Sequence, residues 1–269
     1  MDDDMMSART HGRASKPAPE QVQILPGAEP LFHRGGSRGV LLVHGFLGSP
    51  FEMKYPAQAL IDAGYTISVP RLPGHGTSLE DMAQSTGRDW LGAARDAYYE
   101  LASFCDDIYL AGLSMGGILS LLLAFEFNPR KIVLISTPRR IPDRRAVLAP
   151  LVRPFIKIIR HIDEEKGLDD PEARKLHVCY SDGVPVMAAW HLRRLINAAM
   201  KVLPRVTSDA LIIQSRRDRV VPADSMDYIA GNIGSARKET RWLERGNHTV
   251  TVDIGKEDVA EMIIDFLDS

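Results

Sequence analysis

Short, unbroken apolar runs recur along the chain. Val40-Leu41-Leu42-Val43 is one, Ile108-Tyr109-Leu110-Ala111 a second, Ile132-Val133-Leu134-Ile135 a third and Ala210-Leu211-Ile212-Ile213 a fourth. Runs this short, with no polar alternation, predict strands buried on both faces, as in a parallel sheet. Residues 65–69 and 238–243 read as two more strands. Between the runs the spacing turns helical. Ser49-Pro50 pairs a capping residue with a first-turn proline and predicts a helix to about Asp62, stopped at Ala63-Gly64. Trp90, Leu91, Ala94, Ala97, Tyr98 and Leu101 share one side of a helix over residues 90–104. Further helices are expected over 115–127, 223–233 and 257–267.

After Thr137 this alternation stops. Residues 138–204 contain no convincing strand and carry two amphipathic helical patterns, near 147–160 and 185–202. Strand–helix alternation on both sides of a helical insertion predicts an α/β fold: a mostly parallel sheet, helices on both faces and a helical cap. The expected organisation is a flexible leader over 1–30, a core made of 31–137 and 205–269, and a cap over 138–204.

Composition narrows the class. The chain has 269 residues, 45% hydrophobic and 25% charged, which suits a soluble globular protein with a full core. A formal net charge of -2 gives no overall field for nucleic acid. No apolar stretch is long enough for a bilayer span, so no stable membrane insertion is expected. The first residues are polar and lack the apolar segment of a secretory signal, so cytoplasmic residence is expected. Cys105 and Cys179 fit no metal spacing and read as reduced thiols.

The chemistry concentrates at Gly112-Leu113-Ser114-Met115-Gly116-Gly117, between an apolar strand and an apolar helix. This is the nucleophile-elbow pattern of serine hydrolases. The backbone turns so sharply at the serine that side chains two positions away would collide, and glycine removes them. A serine hydroxyl needs a base, and the base needs an orienting acid. Asp218 follows the strand that ends near Gln214 and is the candidate acid. Asp224, at the start of the next helix, is its rival. His248 lies in Glu244-Arg245-Gly246-Asn247-His248, between the last strand and the last helix, and is the candidate base. Charge developing on an attacked carbonyl oxygen needs donors already in place. The N–H groups of Met115 and Phe46 are the candidates, and His44 is expected to hold the Phe46 loop by hydrogen bonds. On the second cap pattern, Met187, Trp190 and Ile196, with Leu195 and Met200, form an apolar stripe that either lines a substrate pocket or packs the cap onto the core. Arg139, Arg140, Arg144, Arg145, Arg153 and Lys157 crowd the start of the insertion and read as a solvated face.

Taken in order, His44-Gly45-Phe46-x-Gly48-Ser49-Pro50, Pro73-Gly74-His75-Gly76, Gly112-x-Ser114-Met115-Gly116-Gly117, Asp218-x-Val220-Val221-Pro222 and His248-x-Val250-x-x-Asp253 resemble the α/β-hydrolase superfamily. The likeness is to its small bacterial carboxylesterases and monoacylglycerol lipases. It implies a serine esterase for short- to medium-chain carboxylic esters, with Ser114, Asp218 and His248 as triad, Phe46 and Met115 as oxyanion donors and no cofactor or metal. The alternatives are a monoacylglycerol lipase, another acyl or C–C hydrolase, or a slow-turnover ligand receptor. The partner expected is a small-molecule ester, with the chain a monomer or homodimer. Gly246-Asn247 before the base departs from the Ser-Gly usual in this branch, and the insertion is longer and more basic than in its smallest members.

Overall fold

The computed structural model describes residues 22–141, 148–161, 163, 165 and 167–269. Its main sheet is built from β1 (Leu31–His33), β2 (Arg38–Val43), β3 (Thr66–Val69), β4 (Asp107–Leu113), β5 (Lys131–Ile135), β8 (Asp209–Ser215) and β9 (Lys238–Leu243). The spatial order is β1-β3-β2-β4-β5-β8-β9. Every pairing is parallel except that of the edge strand β1 with β3. The strand pleat divides the apolar runs between two cores. Leu41, Val43, Leu110, Ile132, Leu134 and Ile212 face one core, which also takes in α3 (Gly87–Ala102) and α4 (Met115–Phe127). Val40, Leu42, Ala111, Val133, Ile135 and Leu211 face the other, covered by α1 (Lys54–Asp62) and α9 (Lys256–Asp268). Unbroken apolar runs are thus the consequence of burial from both sides.

The order contains one reversal that matters for the site. From β2 the chain moves outward to β3, then returns to β4 on the other side of β2. Loops leaving the C-terminal ends of β2 and β4 diverge there, which opens a crevice at the sheet edge.

Several boundaries differ from the sequence expectation. Ser49 is extended and caps nothing; a 3-10 turn over Pro50–Met53 precedes α1, and the Ser49 hydroxyl donates to the Val178 carbonyl at 2.7 Å. The helix expected from Trp90 begins at Gly87 because Thr86 and Asp89 form a reciprocal capping box. Residues 22–30, assigned to the leader, are docked: Leu25 N–H donates to the Gly76 carbonyl at 2.9 Å and Ala28 is fully buried. The remainder of the leader, residues 1–21, lies outside the described residues.

Among its described residues, the insertion between β5 and β8 is partly helical. In the pattern near 147–160 the described α-helix is Ala149–Val152 (α5); Pro154 has no N–H to continue the ladder. Ile158–Arg160 (β6) instead pairs antiparallel with Gly183–Pro185 (β7). These strands, against an expectation of none, are three residues each, too short for alternation to show. The second pattern forms α7 (Val186–Val202) as expected. Short α2 (Leu79–Met82) and α6 (Pro171–Leu176) were without apolar periodicity, and α8 (Ser225–Asn232) completes the core. No helix among the described residues is long and apolar enough to cross a membrane.

Candidate active site

Ser114 stands at the end of β4 with φ 53° and ψ −113°, a strained turn held by its N–H donating to the Ile135 carbonyl at 2.8 Å. The flanking glycines are required by contact. A Cβ at Gly112 would fall on the Gly116 backbone, and one at Gly116 on the backbone of Val43 and His44. The helix α4 begins at the next residue, so its N-terminus lies beside the serine.

Asp218 and His248 are brought together from loops after β8 and β9. Asp218 Oδ2 lies 3.0 Å from His248 Nδ1, while Oδ1 accepts the N–H groups of Val220 at 2.9 Å and Val221 at 2.8 Å. Burial opposes the Asp218 charge, but His248 and these two amides outweigh it and hold the carboxyl below its usual range. Burial likewise opposes a charge on His248, and Asp218 outweighs it, raising the imidazole above its ordinary 6.5. The rival acid, Asp224, is on the surface, paired with Arg139 and, at 3.5 Å, with Arg140.

The base loop is held on several sides. The Asn247 backbone N–H donates to Asp253 at 2.6 Å, and its side-chain Oδ1 accepts the backbone N–H of Arg219 at 3.1 Å. Thus the unusual Asn247 joins the base loop to the acid loop. From the cap, the Gly167 carbonyl accepts the N–H groups of His248 at 3.0 Å and Thr249 at 2.9 Å. The buried Asp253 also accepts the cap N–H groups of Asp169 and Asp170, at 2.9 and 2.8 Å.

The loop after β2 carries Phe46. His44 Nδ1 lies 2.9 Å from the Gly45 carbonyl oxygen, and its Nε2 accepts the Leu72 N–H at 3.2 Å. Burial lowers the His44 pKa, which fits the neutral ring this bonding needs. The Gly45 carbonyl and the Phe46 N–H belong to one planar trans peptide and point in opposite directions. Fixing that carbonyl on His44 therefore turns the Phe46 N–H the other way. Among the described residues, neither it nor the Met115 N–H has a hydrogen-bond acceptor.

Ser114, His248 and Phe46 line one cavity of about 290 Å³, roofed by the cap. Ser114 lines this cavity, and among the described residues its Oγ makes no hydrogen bond. The cap contributes Ala189, Leu192 and Ile196, spaced to share one face of α7, together with Tyr180. Of the three cap residues expected at the pocket, Ile196 is there, while Met187 and Trp190 are not. Met187 lines a separate cavity with Arg153 and Lys157, and Trp190 packs on His191 and beneath the Arg194 guanidinium. At about 100° per residue, Met187 falls roughly half a turn and Trp190 roughly a third of a turn round α7 from Ile196. Leu195 and Met200 join the core contacts. Arg144 and Arg145 lie outside the described residues.

The sequence reading missed two residues at this cavity, Glu52 and His177. Glu52 Oε1 lies 3.0 Å from His177 Nε2, and Glu52 Oε2 accepts the Gly45 N–H at 2.7 Å. A glutamate inside a helical turn and a histidine in an irregular stretch give no periodic signal. Their one cue is a charged residue amid an otherwise apolar 3-10 turn.

The likeness to known proteins covers nearly the whole chain. The alpha/beta hydrolase family matches residues 40–262. A thermostable monoacylglycerol lipase from Bacillus sp. (strain H-257) is 37% identical over 252 residues, 92% of this chain and 97% of that protein. A carboxylesterase from Bacillus subtilis (strain 168) is 25% identical over 241 residues, 89% and 96% of the two. A solved structure from the metagenome-derived lipolytic enzymes LipS and LipT superposes with a TM-score of 0.83 at 37% identity, covering 91% of this chain and 99% of that one. Sheet order, elbow and the reach of these similarities agree, and the chain belongs to the alpha/beta hydrolase family.

Proposed function

We propose that the protein is a serine carboxylesterase that hydrolyses short- to medium-chain carboxylic esters through an acyl-enzyme on Ser114. The observation that carries this reading is the buried Asp218–His248 pair opening on the same cavity as Ser114. In the first step His248 takes the Ser114 proton as Oγ attacks the ester carbonyl. The Phe46 and Met115 N–H groups, which have no other acceptor among the described residues, receive the oxyanion. His248 then gives the proton to the leaving alcohol. Water, deprotonated by His248, releases the acid by the same route. Asp218 fixes the imidazole tautomer and balances its transient charge throughout. The cavity volume, about 290 Å³, lies at the lower end for small-molecule pockets and supports short rather than long acyl groups.

A second reading, monoacylglycerol lipase, is favoured by the 37% identity to the Bacillus enzyme of that name. The two share the chemistry and differ in the alcohol and the acyl length. Hydrolysis of p-nitrophenyl butyrate by wild type and Ser114→Ala tests the common mechanism: turnover should fall by roughly 10⁴ to 10⁶, with the fold intact by circular dichroism. Undiminished turnover in the variant removes the assignment. A chain-length series of p-nitrophenyl esters beside monoacylglycerols then separates the readings, since a sharp preference for long-chain monoacylglycerols selects the lipase.

A further inference from the structure

We infer that the buried pair Glu52–His177 makes the cap a working part of the oxyanion hole, with both side chains acting as positioning residues for the Phe46 N–H. This deepens the proposed esterase mechanism and rests on it.

The pair joins two separate parts of the fold. Glu52 sits on the 3-10 turn after the Phe46 loop, and His177 belongs to the cap. Their side chains are 5% and 2% exposed. The two carboxylate oxygens do different things: Oε2 holds the Gly45 N–H, and Oε1 meets His177 Nε2. Gly45 is thereby fixed at both ends, its N–H by Glu52 and its carbonyl by His44. Among the described residues the Phe46 N–H, next along the chain, has no acceptor and is left for an oxyanion. The carboxylate also lies flat against the loop, since a Cβ at Gly48 would fall within it.

A carboxylate this buried, held by one amide alone, would be costly. His177 offsets that cost. Burial works against its charge, but the side chains of Cys179 and Glu52 outweigh burial and push its pKa up to about 9. Burial similarly opposes the Glu52 charge, and His177 overrides it and lowers the carboxyl pKa. The same stretch of cap is stitched to the loop twice more. Ser49 Oγ donates to the Val178 carbonyl at 2.7 Å, and Tyr180 N–H donates to the Leu47 carbonyl at 2.8 Å. The geometry of the loop is therefore complete only with the cap in place, and the charged pair is the buried centre of that joint.

Glu52→Gln tests this, because with its one oxygen on the Gly45 N–H it presents an NH2 donor, and no negative charge, to the protonated His177. His177→Ala removes the partner from the cap side, and His177→Gln keeps a donor without the charge. Turnover of p-nitrophenyl butyrate is measured per competent site, counted by fluorophosphonate labelling of Ser114. Inhibition by a phenylboronic acid, whose tetrahedral serine adduct uses the same donors, is measured alongside. Glu52→Gln and His177→Ala should each lower kcat about 10- to 100-fold, part of what loss of a whole oxyanion donor costs. KM should change less than about threefold, boronate affinity should fall in step with kcat, and His177→Gln should recover part of the His177→Ala loss. Variants that fold, with a lowered melting point but wild-type kcat and boronate affinity per site, would overturn the inference. His177→Gln keeps the test decisive if Glu52→Gln does not fold. Failure of the underlying mechanism reads differently: wild type would then not label at Ser114.

Discussion

Asp218 holds Nδ1 of His248 at 3.0 Å with one carboxylate oxygen while two backbone amides hold the other. The acid is thus aimed before the base charges, and its own position does not depend on the base. Asp218→Asn keeps an acceptor for the amides but presents either the wrong tautomeric partner or no charge to His248. In the proposed mechanism kcat for p-nitrophenyl butyrate should drop by about 10⁴, with little change in melting temperature. A loss under tenfold would show that Asp218 does not serve this base.

The same pair sets the pH dependence. Asp218 raises the His248 pKa above its ordinary 6.5, and in the proposed mechanism His248 acts as base only when neutral. Activity should therefore be absent at low pH and rise with pH, with the half-point of kcat/KM above 6.5. In Asp218→Asn the main raising influence is gone, leaving burial and His177 to lower the pKa against Glu52, so the half-point should move to lower pH. A pH–rate profile of both proteins from pH 5 to 10 reads the direction of that movement directly; an unchanged half-point contradicts it.

Placement of α7 side chains separates cavity lining from cap packing. Ile196 lines the cavity with Ser114, whereas Trp190 packs against His191 and Arg194 outside it. Ile196→Trp should reduce kcat/KM for p-nitrophenyl octanoate at least about tenfold more than for the acetate, because added volume in a packed pocket is paid in the longer chain first. Trp190→Ala should leave that ratio unchanged. The two ratios, measured side by side, locate the acyl pocket.

Asp253 ties the base loop to the cap, accepting the N–H groups of Asn247, Asp169 and Asp170 while fully buried. Asp253→Ala leaves those donors without an acceptor and should destabilise the protein by about 3 kcal/mol, lowering the melting temperature by roughly 10 °C. Asp224→Ala, which removes a surface partner of Arg139, should leave the melting temperature nearly unchanged. Scanning calorimetry of both variants checks the contrast.

Local rules carried the sequence far in this chain. Val40-Leu41-Leu42-Val43 and its counterparts had to be strands covered on both faces, because so short an apolar run has no solvated side. Gly112, Ser114 and Gly116 form a short motif that made the turn legible without coordinates, although only Gly112 is required by neighbours in sequence and Gly116 by the backbone of Val43 and His44. Boundaries set by side-chain capping, such as Thr86 with Asp89, and the three-residue strands of the insertion carry too little periodicity to read.

The elbow motif nominated Ser114, and chain order with position after later strands nominated Asp218 and His248. What the sequence could not supply is which distant groups meet. The approach of His177 to Glu52, the grip of Asp253 on the cap, and the turning of Ile196 toward the cavity with Trp190 away from it arise from packing between segments far apart in the chain. Those contacts follow from three-dimensional shape and burial, which no pattern of neighbouring residues encodes.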